Sequence, residues 1–308
     1  MGKKLVVLLL CAVLVLGFAA CNAAGNDLDA QAEGKIRVMV SFNALKEFAE
    51  AVGGEKVAVS TIIPDGTEAH DFELKAQDLA SLARADIFVY NGLGMERWAE
   101  KAIAAAGNEN LIVVVASEGA DLIERTGNDK AHDHEHDEGR YDPHLWLSVK
   151  GAATEAENIK NALVQADPAN REYYEANCKA FVSRLDTLYD EYYEKFSQVE
   201  KKSFVTGHAA FGYLCRDFGL TQLSVMDIFA GGEPSAQQLA ALVEYCREND
   251  VKTIFAEEMA SPAVSQTLAA EVGAKVETIF TMETSEDGRS YLERMEDNLI
   301  RIYESLAH

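Results

Sequence analysis

Between Asn170 and Val199 apolar side chains recur three, four and seven positions apart (Tyr174, Phe181, Leu185, Leu188, Tyr192 and Phe196, with Tyr173 beside them). That period predicts one helix roughly 45 Å long. A helix of this length is rare inside a compact domain and reads as a rigid rod bridging two lobes. On its N-terminal side, short β-rich apolar runs alternate with helical patterns: Ile36–Val40, then Ala44–Val52; Val57–Ile63, then Ala76–Ala83; Ile87–Tyr90, then Glu96–Ala106; and Leu111–Ala116. One more helix, Val149–Gln165, precedes the rod, which Pro168 opens. Beyond it the alternation resumes: Ser203–Thr206, Ala209–Phe218, Leu220–Val225, Ala236–Asn249, Thr253–Ala256, Ala263–Val272, Lys275–Phe280 and a final amphipathic helix, Tyr291–Leu306. Each series predicts a parallel sheet flanked by helices. The expected fold is therefore α/β, with an N-terminal lobe over 35–167, one long rigid linking helix over 168–200 and a C-terminal lobe over 201–308.

The chain begins with Met1-Gly2-Lys3-Lys4, runs almost without polarity from Leu5 to Ala20, and reaches Cys21 through Phe18-Ala19-Ala20. The apolar run is shorter than the roughly 20 residues of a bilayer span and reads as a secretion signal over 1–20. It resembles a bacterial lipoprotein signal with Cys21 as the lipidated residue, although Phe18 stands where that motif prefers Leu. An ordinary cleaved signal or an uncleaved anchor would use the same residues, and all three carry the remainder across a membrane. Residues 21–34, small and polar, read as a flexible lipid-proximal tether. The 308 residues suffice for two ordinary domains once the signal is set aside.

Asp and Glu number 51 against 28 Lys and Arg, a net charge of −23, which disfavours nucleic acid and anionic lipid as partners and suits a cation. Cys178, Cys215 and Cys246 form neither a CxxC nor a CxxCH motif, so no zinc-thiolate or haem site can be built from them. They allow one disulfide and otherwise read as small apolar residues on helices.

The seven histidines are unevenly placed. His70 lies just past a strand in Pro64-Asp65-Gly66-Thr67-Glu68-Ala69-His70-Asp71-Phe72-Glu73; His144 sits in Asp142-Pro143-His144-Leu145-Trp146-Leu147-Ser148; His208, in Thr206-Gly207-His208-Ala209-Ala210-Phe211-Gly212-Tyr213, stands where a strand turns into a helix. Ligands of open α/β sheets bind outside the carboxyl ends of the strands, where such histidines can converge, and neutral imidazole is a standard zinc ligand. Spacing alone does not make them ligands, because any one of them also reads as an ordinary surface or helix-start histidine. His132, His134 and His136 alternate with Asp133, Glu135 and Asp137 in a polar loop, 127–141, that reads as a low-affinity zinc collector or a plain acidic loop. His308 is assigned no role.

These three strings, in this order and with the long helix between the last two, resemble the cluster A-I (cluster 9) solute-binding lipoproteins of ABC transporters that import zinc or manganese. The resemblance covers nearly the whole mature chain, including Glu257-Glu258 with Ser261-Pro262 ahead of a helix. It implies two α/β lobes joined by one long helix, three metal-binding histidines at His70, His144 and His208, an ABC permease as partner, and a location outside the cytoplasmic membrane, lipid-anchored or periplasmic. For the fourth ligand it implies Glu283, as in the zinc-specific branch, where other members place an Asp. Here the usual Pro-Leu before the Glu is missing, so Glu286, Asp287 or water stay open. The manganese-binding relatives carry a carboxylate at the position of His208, and three nitrogens with one carboxylate favour tetrahedral Zn²⁺.

The expected protein is thus the zinc-capturing component of an importer, monomeric and not an enzyme. The alternatives are a manganese- or iron-binding member of the same family, a surface adhesin, or a zinc hydrolase, which would need an open coordination position and for which no HExxH or nucleophile-elbow motif is present. A long helix between lobes also predicts little rearrangement on metal binding.

Overall fold

A computed structural model of the chain describes residues 33–125, 139–226, 228, 235–258, 262–285 and 287–307. The secretion signal, Cys21, most of the tether, His132, His134, His136, Glu286 and His308 lie outside the described residues.

Two four-stranded sheets form the scaffold, each wholly parallel and each with the same order. In the first, β1 (Ile36–Val40) lies between β2 (Val57–Thr61) and β3 (Ile87–Tyr90), and β4 (Ile112–Val115) follows β3. In the second, β5 (Ser203–His208) lies between β6 (Thr221–Met226) and β7 (Thr253–Glu257), and β8 (Lys275–Ile279) is outermost. The central strands β1, β3, β5 and β7 are mostly buried because helices cover both faces. In each sheet the chain turns back past its first strand, so β1/β3 and β5/β7 are the points where strand order reverses and ligand crevices open.

The intervening helices are α1 (Asn43–Gly53), α2 (Ala76–Leu82), α3 (Ala99–Ala106), α4 (Val149–Ala166), α5 (Arg171–Gln198), α6 (Gly212–Phe218), α7 (Ala236–Glu248), α8 (Ala263–Val272) and α9 (Tyr291–Leu306). The rod α5 has 28 residues and is opened by a 3₁₀ turn at Pro168–Asn170. Its N-terminal half packs on the first lobe, where Phe181 meets Phe48 at 5.6 Å and Asn177 Nδ2 donates to Val52 O at 3.0 Å. Its C-terminal half packs on the second, where Phe196 meets Phe218 at 5.3 Å and Tyr303 at 6.0 Å. One apolar core therefore runs from Val38 and Phe48 through α5 to Leu299 and Ile302 without a break between lobes. Cys178, Cys215 and Cys246 sit on α5, α6 and α7, all buried and all free thiols.

Two helices start later than the sequence suggests. α3 begins at Ala99 rather than Glu96, because the Glu96 carboxylate turns back to accept from Asn91 N (2.9 Å) and Gly92 N (3.0 Å). α6 begins at Gly212 rather than Ala209, because His208 O takes Ala210 N into a turn and Gln222 Oε1 takes Phe211 N. The described ends of the polar loop are closed by an antiparallel bridge between Glu124 and Tyr141.

Candidate metal site

The carboxyl ends of both sheets face one cleft, and three imidazoles meet in it. His70 lies in a 3₁₀ turn, Ala69–Asp71, after β2; His144 precedes a second, Leu145–Leu147; His208 is the last residue of β5. Nitrogens of all three lie within 4.8 Å of one another, and His70 Nε2 is 3.2 Å from His144 Nε2. His144 and His208 are buried and His70 is half-buried.

Two carboxylates orient these rings. Asp142 Oδ1 accepts from His144 N at 3.0 Å and lies 2.8 Å from His144 Nδ1, which favours a proton on Nδ1 and leaves Nε2 facing His70 in the cleft. Glu257, at the end of the neighbouring strand β7, accepts from His208 N at 3.0 Å and stands 3.5 Å from His208 Nδ1. Two glycines make room for them. A Cβ at Gly207 would overlap Glu257 Oε2, and one at Gly212 would lie 2.7 Å from Asp142 Oδ2. Tyr213 OH, from the second lobe, donates to Asp142 O at 2.7 Å.

The electrostatics favour the neutral, ligand-ready form at two of the three imidazoles. Burial, reinforced by the other two histidines, drives His70 down to about 2, and burial also lowers His144 against the pull of Asp142. For His208 burial acts in the same direction, but the hydrogen bond and charge of Glu257 outweigh it and the net shift is upward. His208 Nε2 is buried with no hydrogen-bond partner, an orphaned donor or acceptor aimed at the cleft.

Glu283 comes to the rim of this cluster but is not among the three groups whose ligand atoms mutually approach. It follows Met282, a buried non-glycine residue at φ 61°, and this left-handed kink turns the carboxylate inward. Glu283 Oε2 accepts from Ala69 N at 3.2 Å, one residue before His70, while Oε1 is buried with no partner. Burial, then the neighbouring Glu68, raise its carboxyl well above the usual range. The donor set of three imidazoles and one adjacent carboxylate fits a tetrahedral zinc shell. Of the alternatives for the fourth ligand, Asp287 is turned away into ion pairs with Arg289 and Arg294. The sequence reading gives no role to Asp142, Glu257 or Glu258. Their signal is only that each lies in the strings around the histidines or after a strand.

Two α/β lobes on a shared rod, with imidazoles from both meeting in the cleft between them, define a bilobal metal-binding protein. The family model for zinc-uptake complex component A, periplasmic, matches residues 38–305, and the chain belongs to that family. A putative metal-binding protein of Treponema pallidum is 46% identical over 277 residues, 89% of this chain and 88% of that one. The high-affinity zinc uptake system protein ZnuA of Bacillus subtilis is 38% identical over 317 residues, 99% of each. Among solved structures, the laminin-binding protein of Streptococcus agalactiae, described as a bifunctional protein with adhesin and metal transporting activity, superposes with a TM-score of 0.80 at 34% identity, over 88% of this chain and 99% of its own.

Proposed function

We infer that the chain is the zinc-binding component of an ABC-type metal importer, taking up Zn²⁺ outside the cytoplasmic membrane and delivering it to the permease. The observation that carries the reading is the convergence of His70, His144 and His208 from both lobes onto one point, with the Asp142 and Glu257 carboxylates beside the Nδ1 atoms of His144 and His208. Zinc is cargo here, so a closed shell without a reactive water is what the task requires, and Glu283 is the residue to close it. Neutral nitrogens and one carboxylate favour Zn²⁺ over Mn²⁺ or Fe²⁺, which take more oxygen. Cys21 is the lipid attachment that keeps a monomeric chain near its permease, and His132, His134 and His136 collect zinc loosely ahead of the cleft.

Calorimetric titration of the chain freed of residues 1–20 should find one tight zinc site. In His208→Ala the site should weaken by more than the roughly 10–100-fold that loss of an outer partner costs. Unchanged affinity would sink the ligand assignment, and turnover of ester, peptide or phosphate substrates by the zinc-loaded chain would sink the transport reading. The likeness to the S. agalactiae protein supports one additional role, surface adhesion, for which laminin capture by the immobilised chain is the check.

A further inference from the structure

The loop that carries Glu283 is tied to the opposite lobe by a side chain with no part in binding metal. Asp65 stands in the turn after β2, five residues ahead of His70. Its Oδ1 accepts from Ser285 N at 3.0 Å and from Thr284 Oγ1 at 3.3 Å, and its Oδ2 accepts from Ser285 Oγ at 3.1 Å. Gly66 N donates in turn to Thr284 Oγ1 at 3.2 Å. The two residues that follow Glu283 are thus held by the two that open the His70 turn.

On its own lobe the same loop is fixed from behind. Glu258 accepts from Thr281 N and Met282 N, and Arg294 Nη1 donates to Thr284 O at 2.7 Å. Between these anchors the backbone passes through the left-handed kink at Met282, a conformation that costs free energy and persists only where its surroundings hold it. The Asp65 contacts are the outermost of those surroundings and lie across the cleft.

We propose that Asp65 is a positioning residue for metal retention: it latches the Glu283 loop to the His70 turn and so sets how long a captured ion stays in the cleft. This rests on the reading of Glu283 as the fourth ligand. Each bond to the carboxylate is partly exposed and modest alone, but three bonds to one charged acceptor together oppose the separation of ligands that release requires. Retention, not capture, is what they govern, because they hold the loop that carries Glu283 and touch none of the three imidazoles.

The test is stopped-flow release of zinc into excess chelator, with association rates measured in parallel, for wild type, Asp65→Ala, Asp65→Asn, Glu283→Gln and the double variant Asp65→Ala/Glu283→Gln. The expected result for Asp65→Ala is release about tenfold faster with association unchanged. Asp65→Asn, which keeps one acceptor oxygen, should recover part of the loss. The double variant should release no faster than Glu283→Gln. Release unchanged in Asp65→Ala while Glu283→Gln accelerates it overturns the latch alone, as does full additivity in the double variant. No effect of Glu283→Gln overturns the ligand reading and the latch with it.

Discussion

Glu155, on α4, carries both carboxylate oxygens fully buried and without a hydrogen-bond partner. Burial first, then the charge of Glu96, push its carboxyl well above the usual 4.5. The sign of its effect follows. The folded state holds this proton more tightly than the unfolded chain does, so its contribution to stability is complete below about pH 4.5 and declines as pH rises. Glu155→Met, which also removes two unsatisfied oxygens, should therefore stabilise the zinc-free chain by about 1–3 kcal/mol near pH 8 and by less near pH 5. Urea unfolding at both pH values checks this, and a variant less stable than wild type near pH 8 contradicts it. Nothing local in the sequence marks Glu155 as buried, because it stands in a helix whose neighbouring positions include the exposed Glu157 and the half-buried Lys160. The same holds for Glu257 and Asp65. Their partners lie 49 and about 220 positions away along the chain, and only tertiary structure brings those together. His70, His144 and His208 were legible because the strings around them carry a family resemblance, not because their spacing announces a site.

At the level of elements, strands were legible where turn residues bracket an apolar run, and Ile36–Val40 and Ile87–Tyr90 agree to the residue. Helix starts were less so. The starts of α3 and α6 are delayed by a side chain and by a carbonyl that compete for the backbone, and neither competitor is visible in periodicity. α4 shows a cap that can be read from sequence, since Ser148 precedes Val149 and its Oγ accepts from Gly151 N. That hydroxyl also donates to Asp217 of α6, a buried carboxylate belonging to the other lobe. Ser148→Ala should cost about 1–3 kcal/mol, more than an ordinary cap, because it strips a helix N-terminus and leaves Asp217 with little but Lys150 N at 3.4 Å. The comparison is Ser290→Ala at the start of α9, whose capping box with Glu293 is exposed and should cost about 1 kcal/mol. Equal losses in the two variants would mean that the inter-lobe bond adds nothing.

For the whole molecule, the continuous core matters more than the cleft. Trp146 Nε1 donates to Thr281 O at 2.7 Å and Tyr291 OH to Trp146 O at 2.6 Å, so the lobes are stitched together deep beneath the histidines as well as along α5. A hinge that opened wide would have to break these bonds and expose apolar surface, at roughly 25 cal/mol for each Å². Solution scattering of zinc-free and zinc-loaded chain should accordingly give nearly superimposable profiles, with change confined to loops. A clear fall in radius of gyration on loading would show that a larger motion exists. The shared rod has a further consequence for how such a chain can vary. Successive helix residues are rotated by about 100°, so a single insertion or deletion near the middle of α5 would turn one lobe's packing face away from its groove and carry His208 out of register with His70 and His144. Substitutions on the exposed side of the rod can be absorbed, whereas changes in its length cannot, and length variation in proteins of this build should fall in surface loops.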